Sequence, residues 1–157
     1  MNIICGIFTQ DAGEVQIFGE DHRKYYQRET KDIGYCPSYS MAYGSLTVKE
    51  QLRFVRSMKN LPEESSEQVE KYLQDFGLKE FEDTFISNLS GGNLRKMSLI
   101  EALIGNPRIL ILDEPTAGVD IITRETIWNN LKKIKQERDV CIVLTTHHLE
   151  EAENLSD

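Results

Sequence analysis

The stretch Ile109-Leu110-Ile111-Leu112-Asp113-Glu114-Pro115 decides the fold class. Four consecutive apolar residues are typical of a strand buried on both faces, as in parallel sheets covered by helices. Residues 140–144 predict a second buried strand, and Ile33–Cys36 predicts a shorter strand that Pro37 ends. Because helical patterns separate these strands, we predict an α/β fold with a parallel sheet.

Helical patterns fill much of the remaining chain. Thr47-Val48-Lys49-Glu50 has the form of a capping box, and Leu52, Val55 and Met58 would form the apolar face of the helix that follows. Two consecutive helices between residues 46 and 78 predict a helical subdomain inserted in the α/β fold. The other expected elements are a strand at 15–18 with a turn at 19–21, and helices at 47–58, 62–76, 91–104, 125–136 and Leu149–Leu155.

Composition narrows the class of function. The chain has 157 residues, 39% of them hydrophobic, and a formal net charge of −8. The acidic balance argues against a nucleic-acid partner, because such surfaces are normally basic. No apolar run is long enough to span a membrane. The three cysteines fit no zinc pattern, so we expect reduced thiols packed as small hydrophobes.

Two carboxylates follow the buried strand directly. Asp113 and Glu114 would lie at the carboxyl edge of the sheet, where open α/β folds bind ligands. There Asp113 can hold Mg²⁺ on a phosphate, and Glu114 can polarise an attacking water. Taken alone, the pair could equally be a solvated acidic turn.

Two further segments have the character of phosphate sites. Leu89-Ser90-Gly91-Gly92-Asn93 opens a helix whose N-terminus favours negative charge, although a serine cap with a glycine-rich turn would read the same. His147 ends the second buried strand after Thr145-Thr146 and could reach a γ-phosphate, although a lone histidine there is usually structural.

Together with Thr116-Ala117-Gly118-Val119-Asp120, these segments resemble, in order and spacing, the ABC ATPase family. The resemblance identifies 89–93 as the signature motif, 109–114 as the Walker B strand, 117–120 as the D-loop and His147 as the switch histidine. It implies a P-loop NTPase-like fold with ATP and Mg²⁺ as cofactors. Finer details, such as Ile127-Trp128 and the stretch 145–152, resemble the A subfamily, the lipid-exporter type.

The resemblance also implies residue roles. Glu114 and His147 would be catalytic, and Asp113 would hold the metal. Asp120 would communicate across a dimer of ATP-binding domains. The signature residues Ser90, Gly91, Gly92 and Asn93 would face ATP held by a second such domain.

The resemblance implies partners and an arrangement as well. Transmembrane domains of a parent transporter would place the chain at the cytosolic face of a membrane. We expect one partial ATP-binding domain over 1–157, with a helical subdomain at about 45–105 and an ATPase core from 1–44 and 106–157.

The sequence departs from the family pattern at several points. No glycine is followed by lysine, so the Walker A loop is absent, and Met1 to Gly6 is similar to the far end of the helix that this loop begins. Ser38 follows Cys36-Pro37 where the family has the Q-loop glutamine, which contacts Mg²⁺ and the membrane domain. Asn93 replaces the commonest signature glutamine, and Ile121 stands where proline is usual.

These departures leave three hypotheses. The leading one is a transport ATPase domain, although we expect this chain alone to bind ATP weakly or not at all. The second is a catalytically defective fragment that only supplies its signature face to a partner. The third is a soluble, non-transport ABC protein, which the acidic charge and the sequence after Pro115 fit less well.

Overall fold

A computed structural model describes residues 1–28, 30–40, 42–62 and 65–156. It confirms the predicted α/β class. The elements in chain order are β1 (Gln16–Ile17), β2 (Glu20–Asp21), α1 (His22–Arg28), β3 (Ile33–Cys36), α2 (Val48–Met58), α3 (Ser65–Asp75), α4 (Gly91–Leu103), β4 (Ile109–Asp113), α5 (Ile121–Glu137), β5 (Cys141–Thr145) and α6 (Leu149–Leu155).

The sheet that carries the site has three parallel strands in the order β3-β4-β5. The central strand β4 is buried on both faces at Leu110, Ile111 and Leu112, as its sequence predicts. The same expectation for β5 is wrong, since Cys141 is exposed and Val143 is 38% exposed. Among the described residues β5 pairs with β4 alone, so its outer edge has no strand beside it.

Helix α4 packs tightly against β3. A Cβ atom on Gly34 would lie 2.1 Å from the Ala102 carbonyl oxygen, so only glycine fits this contact. On the helix, Met97, Leu99 and Leu103 are fully buried. This packing fixes the direction of α4 and therefore the position of its N-terminus beside the sheet.

The capping box of α2 is present as predicted. The Thr47 side chain accepts a hydrogen bond from the Glu50 amide, and the Glu50 carboxylate accepts one from the Thr47 amide at 2.8 Å. The predicted apolar face needs correction, because Met58 is 68% exposed. The buried positions are Val48, Gln51 and Leu52, and Val55 packs against the core, so the predicted face fails only at Met58 in the last turn.

The first part of the chain differs from the sequence prediction. The strand at 15–18 shrinks to β1, and Glu20 and Asp21, expected in a turn, form β2 instead. The turn falls on Phe18 and Gly19, which both have positive φ, as tight hairpin turns require. Helix α1 was not predicted. Residues 1–6 form hydrogen-bonded turns rather than a helix end, with one α-type bond from the Cys5 amide to the Met1 carbonyl.

Two helix boundaries also move. Helix α3 begins at Ser65 instead of Pro62, and Glu63 and Glu64 lie outside the described residues. Helix α5 begins at Ile121 instead of Glu125, because Asp120 caps it. In the described part of the chain, no helix combines the length and apolar character needed to cross a bilayer.

Candidate active site

The carboxyl ends of β4 and β5 bring the predicted acidic pair next to a threonine. Asp113 and Thr145 are partners in the strand register, and the Thr145 hydroxyl donates to Asp113 Oδ1 at 2.6 Å. The Glu114 amide donates to the Thr145 carbonyl at 3.1 Å and lies 3.2 Å from Thr145 Oγ1. Thr145 therefore orients both acidic residues, a role that the sequence did not suggest.

Glu114 has a φ of +52°, in the left-handed region that favours glycine. Such a conformation costs about 1 kcal/mol or more in a non-glycine residue and occurs most often at functional sites. It is held from both sides. The amide bonds to Thr145, and the carbonyl accepts from the Ala117 amide at 3.1 Å and from Arg95. The turn thus fixes where the Glu114 side chain begins.

The predicted switch histidine lies next to the second carboxylate. His147 Nε2 lies 3.2 Å from Glu114 Oε1. The His147 side chain is 94% exposed, whereas the Glu114 side chain is only 18% exposed. The pair therefore places a hydrogen-bond donor and a carboxylate at the surface, beside an open groove of about 940 Å³.

Residues Ser90 to Asn93 form the N-terminus of α4, as predicted. Ser90 is the N-cap, and its Oγ accepts from the Asn93 amide at 3.2 Å. A Cβ atom on Gly91 would meet nothing within 4 Å, so a phosphate could approach the backbone there. A Cβ atom on Gly92 would lie 3.2 Å from Thr123 Oγ1, so this glycine lets the starts of α4 and α5 come together.

Asp120 caps α5 with its side chain. Its carboxylate accepts from the Thr123 amide at 2.9 Å and from the Thr123 hydroxyl at 2.7 Å. These hydrogen bonds hold the pKa of Asp120 below its usual range, and the one from the Thr123 amide has the larger effect. The residue therefore stays ionised beside Gly92, and its predicted role across a dimer remains a prediction.

Sequence analysis alone does not identify Arg95, a buried residue that joins several parts of the site. Its guanidinium donates to the carbonyl oxygens of Asp113 at 2.7 Å, Glu114 at 2.8 Å, Pro115 at 2.8 Å and Pro37. It joins α4 to the end of β4 and to the residue before Ser38. Its one sequence signal is weak: Arg95 stands two residues before the largely apolar run Met97-Ser98-Leu99-Ile100 of a predicted helix.

A second buried network ties the loop after β4 to α6. Glu151 is fully buried, and its Oε1 accepts from the Thr116 hydroxyl at 2.9 Å and from Trp128 Nε1 at 3.0 Å. Thr116 precedes the predicted D-loop, and Glu151 lies four residues after His147. The network therefore fixes these two parts of the site relative to each other.

The protein groups at this site could supply only some of the ligands that a magnesium ion needs. Asp113 and Ser38 carry oxygen atoms of the kind that Mg²⁺ prefers, and Ser38 is exposed. In the described ranges, no three His, Cys, Asp or Glu side chains gather as a metal cluster. This suits an ion that takes one carboxylate from the protein and its remaining ligands from phosphate and water.

An apolar groove of about 430 Å³ lies near Ser38, between β3 and α2. The aromatic rings of Tyr43 and Phe54 pack edge to face on its rim, and these residues are 57% and 42% exposed. At the base, Gln51 Nε2 donates to Glu101 Oε1 at 2.6 Å, and burial raises the pKa of Glu101. Exposed apolar area of this kind is typical of surfaces that contact another molecule.

The parallel sheet, the acidic edge and the glycine-opened helix define an α/β ATP-binding domain. A family model described as "ABC transporter" matches residues 1–117, so the chain belongs to the ABC transporter family. A solved structure described as "Structure of ATP binding subunit of ABC transporter" superposes with a TM-score of 0.85 at 25% identity. That match covers 98% of this chain and 64% of the other, and it confirms the P-loop NTPase-like fold.

The curated relatives belong to the A subfamily that the motifs suggested. The chain is 38% identical over 158 residues to "ATP-binding cassette sub-family A member 2" of Rattus norvegicus, and 40% identical over 162 residues to "Cholesterol transporter ABCA5" of Homo sapiens. It is 38% identical over 161 residues to "Glucosylceramide transporter ABCA12" of Homo sapiens. Each match covers 100% of this chain but only 6% to 10% of the relative.

Proposed function

We propose that the chain is the ATP-hydrolysing part of an ABC transporter that exports lipids or other amphiphiles. The observation that carries this proposal is the contact of Glu114 with His147, 3.2 Å apart, next to Asp113 at the carboxyl edge of the parallel sheet. In this arrangement Asp113 would hold Mg²⁺, which would offset the charge of the phosphate oxygens. Glu114 accepts the proton of the attacking water, and His147 donates to the γ-phosphate.

The chain contributes to two nucleotides. Asp113, Glu114 and His147 serve one ATP, whose Walker A group is not among these residues because no glycine precedes a lysine. The N-terminus of α4, from Ser90 to Asn93, serves an ATP held by a second ATP-binding domain. The open space at Gly91 and the capped helix end support this division. A dimer of two such domains is therefore the working unit.

Transmembrane domains complete the transporter, with this chain at the cytosolic face of the membrane. The apolar groove with Tyr43 and Phe54 on its rim lies beside Pro37 and Ser38. This position favours a cytosolic segment of the membrane domain as its occupant, because movement there would reach the nucleotide site through Ser38. A lipid-like substrate is supported by relatives described as cholesterol and glucosylceramide transporters.

We further propose two subdomains. The helical subdomain spans residues 45–105, and the ATPase core consists of residues 1–44 and 106–157.

A second candidate is a chain that only presents its α4 face to a partner. The absence of a Gly-Lys pair and the serine at position 38 favour it. In that case Glu114 and His147 would not contribute to turnover, whereas the N-terminus of α4 would still be required.

The test is ATP turnover in lipid vesicles, with the chain assembled with its membrane domains and second ATP-binding domain. We expect Glu114→Gln to lower turnover more than tenfold, because the carboxylate is the base. The exposed Glu125→Gln on α5 is the matched control and should stay within twofold. Full turnover in Glu114→Gln would refute catalysis by this chain. If Gly91→Asp still abolished turnover, the second candidate would hold.

A further inference from the structure

We propose that Arg95 is a positioning residue that couples the N-terminus of α4 to the Glu114 turn. Resting on the proposed function, it links the two nucleotides that this chain serves. The starting observation is that one buried guanidinium donates to four backbone carbonyls, those of Pro37, Asp113, Glu114 and Pro115.

The targets of Arg95 lie on separate parts of the fold. Three successive carbonyls belong to the end of β4 and the turn after it, and the fourth follows β3. A guanidinium has five N–H donors in a rigid plane, so its contacts fix the relative position of these segments more strictly than single bonds would. Arg95 itself is only 8% exposed, so solvent does not compete for these donors.

The consequence for Glu114 follows from its backbone. A residue with φ at +52° keeps that conformation only while its surroundings hold it. The Glu114 carbonyl accepts from Arg95 at 2.8 Å, and the carbonyls on either side do so as well. Loss of the guanidinium would remove the hydrogen bonds to these carbonyls, and the turn would no longer fix the position of the Glu114 side chain.

The consequence for α4 follows from helix rigidity. Arg95 lies five residues after the cap Ser90, within the first turns of one continuous helix. A shift of the Ser90 end on meeting a phosphate would therefore move the guanidinium with it. Glu114 and Pro37 would follow, so the nucleotide bound by α4 would adjust the base that acts on the other nucleotide.

If Arg95 only stabilised the fold, its variants would behave differently. It would matter equally whether or not Glu114 is functional, and lysine would preserve much of its effect through charge and length. A positioning role requires the planar set of donors, so Arg95→Lys should already fail. The exposed Arg53 on α2 offers a matched control as Arg53→Gln.

The first experiment uses the 157-residue chain and needs no activity. Backbone NMR should show that Arg95→Lys and Arg95→Gln shift the amide signals of Ser38, Glu114 and Ala117 together, while the exposed Glu67 near the start of α3 keeps its signal. Arg53→Gln should shift none of them. Unchanged signals at Ser38 and Glu114 in both Arg95 variants would overturn the proposal.

The second experiment is a double-mutant cycle in the vesicle assay with single-turnover detection. Arg95→Lys should lower kcat about tenfold with KM for ATP within twofold, and should cost nothing further in the Glu114→Gln background. Equal losses in both backgrounds would overturn the positioning role. If Glu114→Gln has no effect, the proposed function fails, and the NMR result still decides whether Arg95 holds the turn.

Discussion

The hydroxyl of Thr145 should be worth more than an ordinary surface contact, and Thr145→Val tests this. Valine keeps the shape of threonine but cannot donate the 2.6 Å hydrogen bond to Asp113 Oδ1. A hydrogen bond to a charged group contributes about 1.5–3 kcal/mol. The second contact, 3.2 Å from the Glu114 amide, adds little because that amide also bonds to the Thr145 carbonyl.

We therefore expect Thr145→Val to lower the free energy of unfolding by about 2 kcal/mol. For a chain of this size the loss corresponds to a fall in Tm of about 4–8 °C. Urea unfolding followed by circular dichroism would measure it. The control is Thr145→Ser, which keeps the hydroxyl and removes one methyl group, at a cost of about 0.8 kcal/mol or less.

Two results would refute this reasoning. One is Thr145→Val within 0.5 kcal/mol of the wild type, which would mean that the bond to Asp113 has no net value. The other is Thr145→Ser losing as much as Thr145→Val, which would assign the effect to packing. A further check is the Asp113→Ala background, where removal of the hydroxyl should cost little.

The remaining predictions concern a pair of thiols and a buried amine. Burial raises the pKa of Cys36 to about 11, so alkylation at pH 8 should label the exposed Cys141 quickly and Cys36 only after unfolding; equal rates would contradict the buried position. Burial lowers the pKa of Lys59 from 10.5 to about 8, so between these values the unfolded chain binds more protons and stability rises with pH. Urea unfolding would measure the free energy of unfolding of the wild type and of Lys59→Met. From pH 8 to 10.5, the wild-type value should rise by roughly 2 kcal/mol relative to the variant. A difference between the two proteins that does not change with pH would contradict the lowered pKa.

The sequence predicts the class of fold because its strongest signals are local. The apolar run of β4 and the capping box at Thr47 each act within a few residues, and both are present. The start of α5 differs from the prediction because of another local interaction. The start Asp120-Ile121-Ile122-Thr123 is β-branched and weakly helical, yet Asp120 and Thr123 form a cap that overrides this tendency.

Non-local contacts explain what the sequence could not supply. Burial of β5 depends on which strands flank it, so its apolar sequence alone could not predict that Val143 is 38% exposed. Arg95 looks like an ordinary helical residue until the fold brings four carbonyls from distant parts of the chain around it. Thr145 likewise gains its role from the register of β5 against β4.

The network around Glu151 contains an intrinsic fluorescent probe, the indole of Trp128. Trp128 is the only tryptophan, and its indole N–H shares the Glu151 carboxylate with Thr116, at the start of the loop to Asp120. A rearrangement of this loop or of α6 that displaces Glu151 would alter the hydrogen bond and the polarity at the indole. Its emission therefore reports on the region next to His147, and spectroscopy can follow the site in real time without an attached dye.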